Sequence, residues 1–381
     1  MKPPVLLLCL LLLVAAGGVF AGQKQVDYLG LAALMVRDGH YERAAQALES
    51  VDTAREGFDF IRYYTLKGLT ELKLERYSDA VESLEKAIRH GQEDTQVYLH
   101  LARAAWHDEQ YRKGLDALQR GGDELLLSAP GVVLLKSQLH WKLGDKPTAW
   151  EALQFGERQF SDGAPFMRRK VFMLVELGLY QEASRLGLIY MERYRPGPDD
   201  YVAIGEALRQ AGQAISGLDF LELGKVKHPE NQRILLALAK VYADLGSYYT
   251  AAGMMERAAA LGGDYLIDAA ELYRRAGHPG RALFLNERAL DQQKKLKQRL
   301  AILLDMGMFE QAEGMSEALY RHGLLNDDQI RYAVAYAAFK AGHFEAAARH
   351  LTAITTPALF RKAAALRKAM SVCDEERWQC L

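Results

Sequence analysis

GHYERA at residues 39–44, ERYSDA at 75–80, EQYRKG at 109–114, GDKPTA at 144–149 and GLYQEA at 178–183 are one phrase written five times. It continues as GQAISG at 212–217, GSYYTA at 246–251, GHPGRA at 277–282, GMFEQA at 307–312 and GHFEAA at 342–347. Successive copies start 36, 34, 35, 34, 34, 34, 31, 30 and 35 residues apart. A period held this closely is the mark of a repeat architecture in which each unit packs on its neighbours.

Apolar residues flank the phrase at helical spacing. Around the third copy, Tyr98, Leu101, Ala102 and Ala105 precede it and Tyr111, Leu115 and Leu118 follow it, the three-to-four-residue step of an amphipathic helix. Where a Gly stands between the two runs, as in eight of the ten copies, it takes left-handed backbone angles without a steric penalty, so it can end one helix and turn the chain into the next. Each repeat is expected to be a helical hairpin. The 30- and 31-residue steps are expected to reflect shortened turns.

The pattern resembles the tetratricopeptide repeat family. With the Gly of the phrase at position 15 of 34, that family expects small residues at positions 8 and 20. Position 20 holds Ala44, Ala80, Ala149, Ala183, Ala251, Ala282, Ala312 and Ala347, with Gly114 and Gly217 in the other two copies. Position 8 holds Ala32, Gly68, Ala102, Ser137, Gly205, Ala239, Ala270 and Ala335, and departs from the pattern at Val171 and Leu300. The Trp expected at position 4 is mostly Tyr, as at Tyr28, Tyr64, Tyr98 and Tyr201, and the closing Pro survives only as Pro229. The resemblance implies an all-α, right-handed α-solenoid of about ten helix-turn-helix units over residues 22–356, read as one continuous array. Residues 357–381 are expected to form a capping helix and tail.

The N-terminus reads differently. Met1 and Lys2 precede an apolar run from Val5 to Val14, then small residues and a Val19-Phe20-Ala21 stretch, the layout of a cleavable secretory signal over 1–21. The apolar core is about half the length a membrane span needs, and Cys9 lies inside it rather than after the small residues, so neither an anchor nor a lipoprotein is expected. The chain is therefore expected to be exported, with a bacterial periplasm as its location. An oxidising compartment permits disulfides, and Cys373 and Cys380 are expected to pair.

The composition excludes more than it identifies. With 48 basic and 49 acidic residues the chain carries a formal charge of −1; without residues 1–21 the count is 47 against 49, or −2. Such a balance supplies no long-range attraction for nucleic acid or an anionic membrane. No HExxH, CxxC or GxSxG sequence occurs, so no metal, cofactor or catalytic function is expected. Gly224-Lys225 lacks the remainder of a phosphate loop. The acidic pairs Asp199-Asp200, Asp327-Asp328 and Glu375-Glu376 read as helix-start residues, and Lys294, Lys295, Lys297 and Arg299 as a solvated face.

In the tetratricopeptide family, positions 2, 5, 9, 12 and 13 of the first helix line a binding groove. Carried onto the third copy these are Gln96, Leu99, Arg103, Trp106 and His107; onto the fourth, Leu134, Gln138, Trp141 and Lys142. Arg103, Trp106, His107, Gln138, Trp141 and Lys142 are the expected partner-binding residues, since aromatic and cationic side chains carry much interface energy. Tyr332, Tyr336 and Phe339, beside Lys340, form a secondary candidate. Glu206, Arg209, Glu271, Arg274 and Arg275 are expected to suit polar docking. The family's Lys and Asn grip on a terminal carboxylate is absent, since those positions hold Thr65 and Leu69, Leu99 and Arg103, or Leu134 and Gln138. The expected function is a non-catalytic scaffold that binds a protein partner of a cell-envelope complex, with a groove-bound small molecule or glycan as the alternative.

Overall fold

The computed structural model describes residues 26–375, with side chains as far as residue 371. The signal segment over 1–21 and the Cys373–Cys380 pairing lie outside what is described. Every element is helical. In the N-terminal half, residues up to Ser161, four hairpins follow one another: α1 (Tyr28–Arg37) and α2 (Tyr41–Glu49), α3 (Phe60–Lys73) and α4 (Tyr77–Arg89), α5 (Thr95–His107) and α6 (Tyr111–Ser128), α7 (Pro130–Lys142) and α8 (Lys146–Gln159).

The C-terminal half, from Asp162, continues with α9 (Ala164–Glu176) and α10 (Tyr180–Tyr194), α11 (Pro198–Gln210) and α12 (Ala214–Lys227), α13 (Gln232–Asp244) and α14 (Tyr248–Leu261), α15 (Leu266–Arg275) and α16 (Pro279–Glu287). Hairpin nine is α17 (Gln292–Asp305) followed by α18 (Phe309–Gly314) and α19 (Ser316–Arg321); hairpin ten is α20 (Asp328–Lys340) and α21 (Phe344–Thr352). A last helix, α22 (Pro357–Glu375), packs on α20. The chain thus forms two compact halves that part at the α8–α9 link, where the repeat pattern shows no break.

The turn inside each hairpin follows from one backbone conformation. All ten residues at position 15 have positive φ, from 57° to 84°: eight are Gly, and Glu75 (60°) and Glu109 (57°) adopt it with a side chain. In every hairpin the next residue's N–H reaches back five residues to a helix carbonyl, as from His40 to Met35 at 2.8 Å and from Gln213 to Leu208 at 2.8 Å. This is the Schellman closure, which satisfies carbonyls that the helix end leaves open.

Close helix crossing explains positions 8 and 20. The eight Ala at position 20 are all fully buried. Where both are Gly, the backbones almost touch: a Cβ on Gly217 would lie 2.6 Å from the Gly205 carbonyl oxygen. Val171 is also fully buried, and hairpin five compensates further along its second helix, where Gly187 places only hydrogen beside Val171 and Phe220. Leu300 packs with Ala312 and Met315, and there the second helix of hairpin nine breaks into α18 and α19.

The short repeat steps arise in helices, not turns. α15 has 10 residues and α16 has 9, against 13 in α11 and α13 and 14 in α12 and α14. The links before α13, α15 and α17 all keep the same length. One helical turn is deleted and the hairpin connection is preserved, because the Schellman geometry tolerates no deletion.

Candidate functional site: the first-helix face of the N-terminal half

Position 13 carries a base in all four hairpins of this half: Arg37, Lys73, His107 and Lys142, each exposed. Arg103, at position 9 of hairpin three, is exposed as well. Arg37 pairs with its neighbour Asp38 at 3.2 Å, whereas Lys73, Arg103 and Lys142 form no ion pair among the described residues. The resulting field acts on His100. Burial is the larger cause that pushes its imidazole pKa down, and the Arg103 and Lys73 charges push it further. Its Nδ1 is buried without a hydrogen-bond partner.

Aromatic rings stiffen this face. His107 stacks on Tyr77 of the preceding hairpin, with centroids 4.6 Å apart and planes at 14°. Trp106, half-buried, leans on Tyr111 across its own turn at 5.5 Å. Trp141 has the equivalent relation with a different chemistry: Lys146 stands where Tyr111 stands, its Nζ 3.7 Å from the indole centroid and donating to the Trp141 carbonyl at 2.9 Å. Trp141 is only 7% exposed.

Of the expected contact residues, Arg103, His107 and Lys142 are open to solvent, Trp106 and Gln138 are half-buried, and Trp141 is buried. Leu99, at a groove position of hairpin three, is 6% exposed and belongs to the core. Small neighbours explain this: Ala102 and Ala105 let the helices approach until side chains next to the crossing are covered.

The equivalent face of the C-terminal half is organised otherwise. Arg209 bridges Glu206 of its own helix at 2.8 Å and Asp244 of the next hairpin at 2.6 Å. Two hairpins later Arg274 repeats the pattern with Glu271 at 2.8 Å and Asp305 at 2.6 Å. Lys240 and Arg275 complete the two clusters, at 3.7 and 3.0 Å from Glu206 and Glu271. Each cluster holds two acids and two bases, so its charges are matched internally. The hydrogen bonds to Arg274, ahead of opposing burial, hold the Glu271 carboxyl below the usual range. These residues staple neighbouring first helices and leave no unmatched charge for docking.

The secondary aromatic candidate divides. Tyr332 and Phe339 pack partly buried with Leu359, Ala363 and Leu366 under α22. Tyr336 stays 37% exposed and meets Phe309 edge-on at 6.1 Å. Asp327 caps α20 by accepting from Gln329 N–H at 2.9 Å. Asp199 and Asp200 pair with Arg233 and Arg168. Gly224 is a packing residue, since a Cβ there would lie 2.8 Å from Tyr201 Cβ. Lys294 returns to the cap of its own helix, Asp291, at 3.5 Å.

The repeat register did not point to a cleft of about 750 Å³ between α10, α12 and the start of α11. Its lining comes mostly from second helices and inter-hairpin links, which the family pattern leaves unmarked.

These features describe a helical repeat array similar in fold to tetratricopeptide repeats: ten left-handed turns in register, and small residues at position 20 of every hairpin and at position 8 of eight. No protein-family model and no curated protein sequence matches the chain. Among solved structures it is similar to the C-terminal part of a TPR repeat-containing protein from Cytophaga hutchinsonii, at 14% identity over 64% of this chain and 95% of that one, with a TM-score of 0.46. It is also similar to a tetratricopeptide repeat protein from Parabacteroides merdae, at 12% identity over 65% of this chain and 96% of that one, with a TM-score of 0.45. A third is MamA from Desulfovibrio magneticus, at 24% identity over 35% of this chain and 76% of that one, with a TM-score of 0.31.

Proposed function

We propose that the chain is a non-catalytic scaffold that works outside the cytoplasm and holds an acidic segment of a partner protein on the first-helix face of its N-terminal half. The observation that carries this reading is the row of exposed bases at position 13, joined by Arg103, in which Lys73, Arg103 and Lys142 form no ion pair among the described residues. Packed helices lie about 8–10 Å apart, and a chain in the polyproline II conformation advances about 3.1 Å per residue with every third side chain on one face. A partner segment in that conformation with a carboxylate at roughly every third residue therefore matches one base per hairpin. A protein segment is favoured over nucleic acid because the bases are few and the chain as a whole carries no net positive charge. The signal-like segment at residues 1–21 supports export, and an assembly role in a periplasmic envelope complex follows from combining export with a docking face.

The test is in-cell crosslinking in the native host followed by mass spectrometry, comparing wild type with Lys73→Gln/Arg103→Gln/Lys142→Gln. A few envelope proteins that crosslink through acidic segments should be captured and then lost in the triple variant. Fluorescence anisotropy with a labelled peptide of Glu at every third residue should show binding that weakens steeply with salt. Equal capture by the variant, or single-stranded RNA binding at least as tightly as the peptide, would overturn the proposal.

A further inference from the structure

The cleft in the C-terminal half is a candidate site of a different kind, and nothing in the scaffold reading requires it. Met191 and Tyr201, each 3% exposed, and half-buried Leu223 form its floor; Leu188, 49% exposed, and Pro196 form one wall. Arg195, Lys227 and His228 stand at the rim against a single acid, Glu192. Neither Arg195 nor Lys227 forms an ion pair among the described residues. Its volume, about 750 Å³, falls within the range of about 300–1,000 Å³ that small-molecule sites occupy.

Two features separate this cleft from an ordinary gap between hairpins. The first is backbone strain at its rim. Arg195 has φ 45° and ψ 57°, left-handed for a residue with a side chain. The other two such residues, Glu75 and Glu109, sit at the repeat's own turn position, but Arg195 does not. The conformation is unfavourable for a residue with a Cβ, although Gly197 lies only two residues away and would adopt it freely. The second feature is how the floor is built. Gly224 lets α12 close down on Tyr201, whose ring then meets the His228 ring edge-on at 5.8 Å. An aromatic surface is thereby fixed beneath the cations. The helix dipole accounts for bases after α10 and α12, and Arg195 is the left-handed C-cap of α10, a common helix ending that Gly or Asn usually supplies; neither accounts for an arginine in that conformation or for the apolar floor.

We infer that this cleft binds a small organic anion with an apolar body, an aromatic or short-chain carboxylate, whose hydrocarbon part lies on Met191, Tyr201 and Leu223 and whose carboxylate meets Arg195 and Lys227. Arg195 and Lys227 set the charge preference and the floor supplies the contact area. The ligand is bound without covalent chemistry.

The full chain should be titrated with 4-phenylbutyrate and, separately, with 4-phenylbutan-1-ol, which shares the apolar body and lacks the charge, by saturation-transfer NMR and calorimetry. The acid should bind at least about tenfold more tightly than the alcohol, a separation large enough to read as a free-energy difference. Arg195→Gly removes the guanidinium and relaxes the strained backbone, so it should keep or raise the melting temperature while, combined with Lys227→Gln, it abolishes the preference for the acid. Equal affinity for acid and alcohol would overturn the inference. So would binding of the acid that survives the double variant, or no binding of either compound.

Discussion

Ser137 Oγ donates a 2.8 Å hydrogen bond to the carbonyl oxygen of Ala149, joining positions 8 and 20 of hairpin four at the point where its two helices cross. Both residues are fully buried, so the bond adds to a contact that elsewhere consists of two small apolar side chains. Ser137→Ala should lower stability by about 1 kcal/mol, the usual net value of such a bond. Ala149→Leu should lower it by about 3 kcal/mol, because no space exists for the added atoms. Urea unfolding followed by circular dichroism gives both values.

Gly217 faces Gly205 with less clearance still. A methyl group at 217 would meet backbone, which cannot rotate away. Gly217→Ala should therefore cost about 2–3 kcal/mol despite the higher helix propensity of Ala. A melting temperature equal to wild type would show that the helices separate more easily than the crossing implies.

Glu75 and Glu109 adopt the left-handed turn that Gly fills in the other eight hairpins. Glu75→Gly and Glu109→Gly should each stabilise the chain by up to about 1 kcal/mol, since the relief of a Cβ clash outweighs the entropy Gly adds to the unfolded chain. Gly212→Ala should act in the opposite direction, and the three variants can be ranked in one thermal-unfolding series.

Asp328 holds the link into the capping helix. Its Oδ2 accepts from Thr355 N–H at 2.9 Å and Thr356 N–H at 2.8 Å, and from both hydroxyls. Hydrogen bonds from Thr356 and Thr355 bring its pKa down to about 2. A carboxyl depressed in the folded state contributes stability above its unfolded pKa of about 4 and loses it as pH falls toward 2. Hydrogen-exchange protection of α22 should therefore decline between about pH 4 and pH 2. Asp328→Asn should produce the same loosening at neutral pH, with the rest of the chain protected as before.

Much of the fold was legible because repetition multiplies weak signals. One left-handed Gly predicts little, but a turn residue that is Gly in eight of ten copies, ahead of a small residue at nearly even intervals, fixes hairpin, turn and crossing together. The site was legible only in part. The exposed Arg103, His107 and Lys142 follow from register, since a helix of known phase shows which positions face outward. Trp106 and Trp141 do not, because an indole at position 12 can fold back over the turn onto position 17, where Tyr111 waits in one hairpin and Lys146 in the next. Arg209 and Arg274 looked available for docking, and their engagement with Asp244 and Asp305 depends on side chains more than thirty residues away.

The sequence by itself determined the helical hairpins, their order and the tight crossing at positions 8 and 20, because backbone conformation and steric size act within a single repeat. Tertiary structure alone decided which charges are matched and which are free, where the array parts into two halves, and that Arg195 and Lys227 share a cleft with Tyr201. Those outcomes depend on distances between side chains of different hairpins, and residue spacing within one repeat carries no information about them.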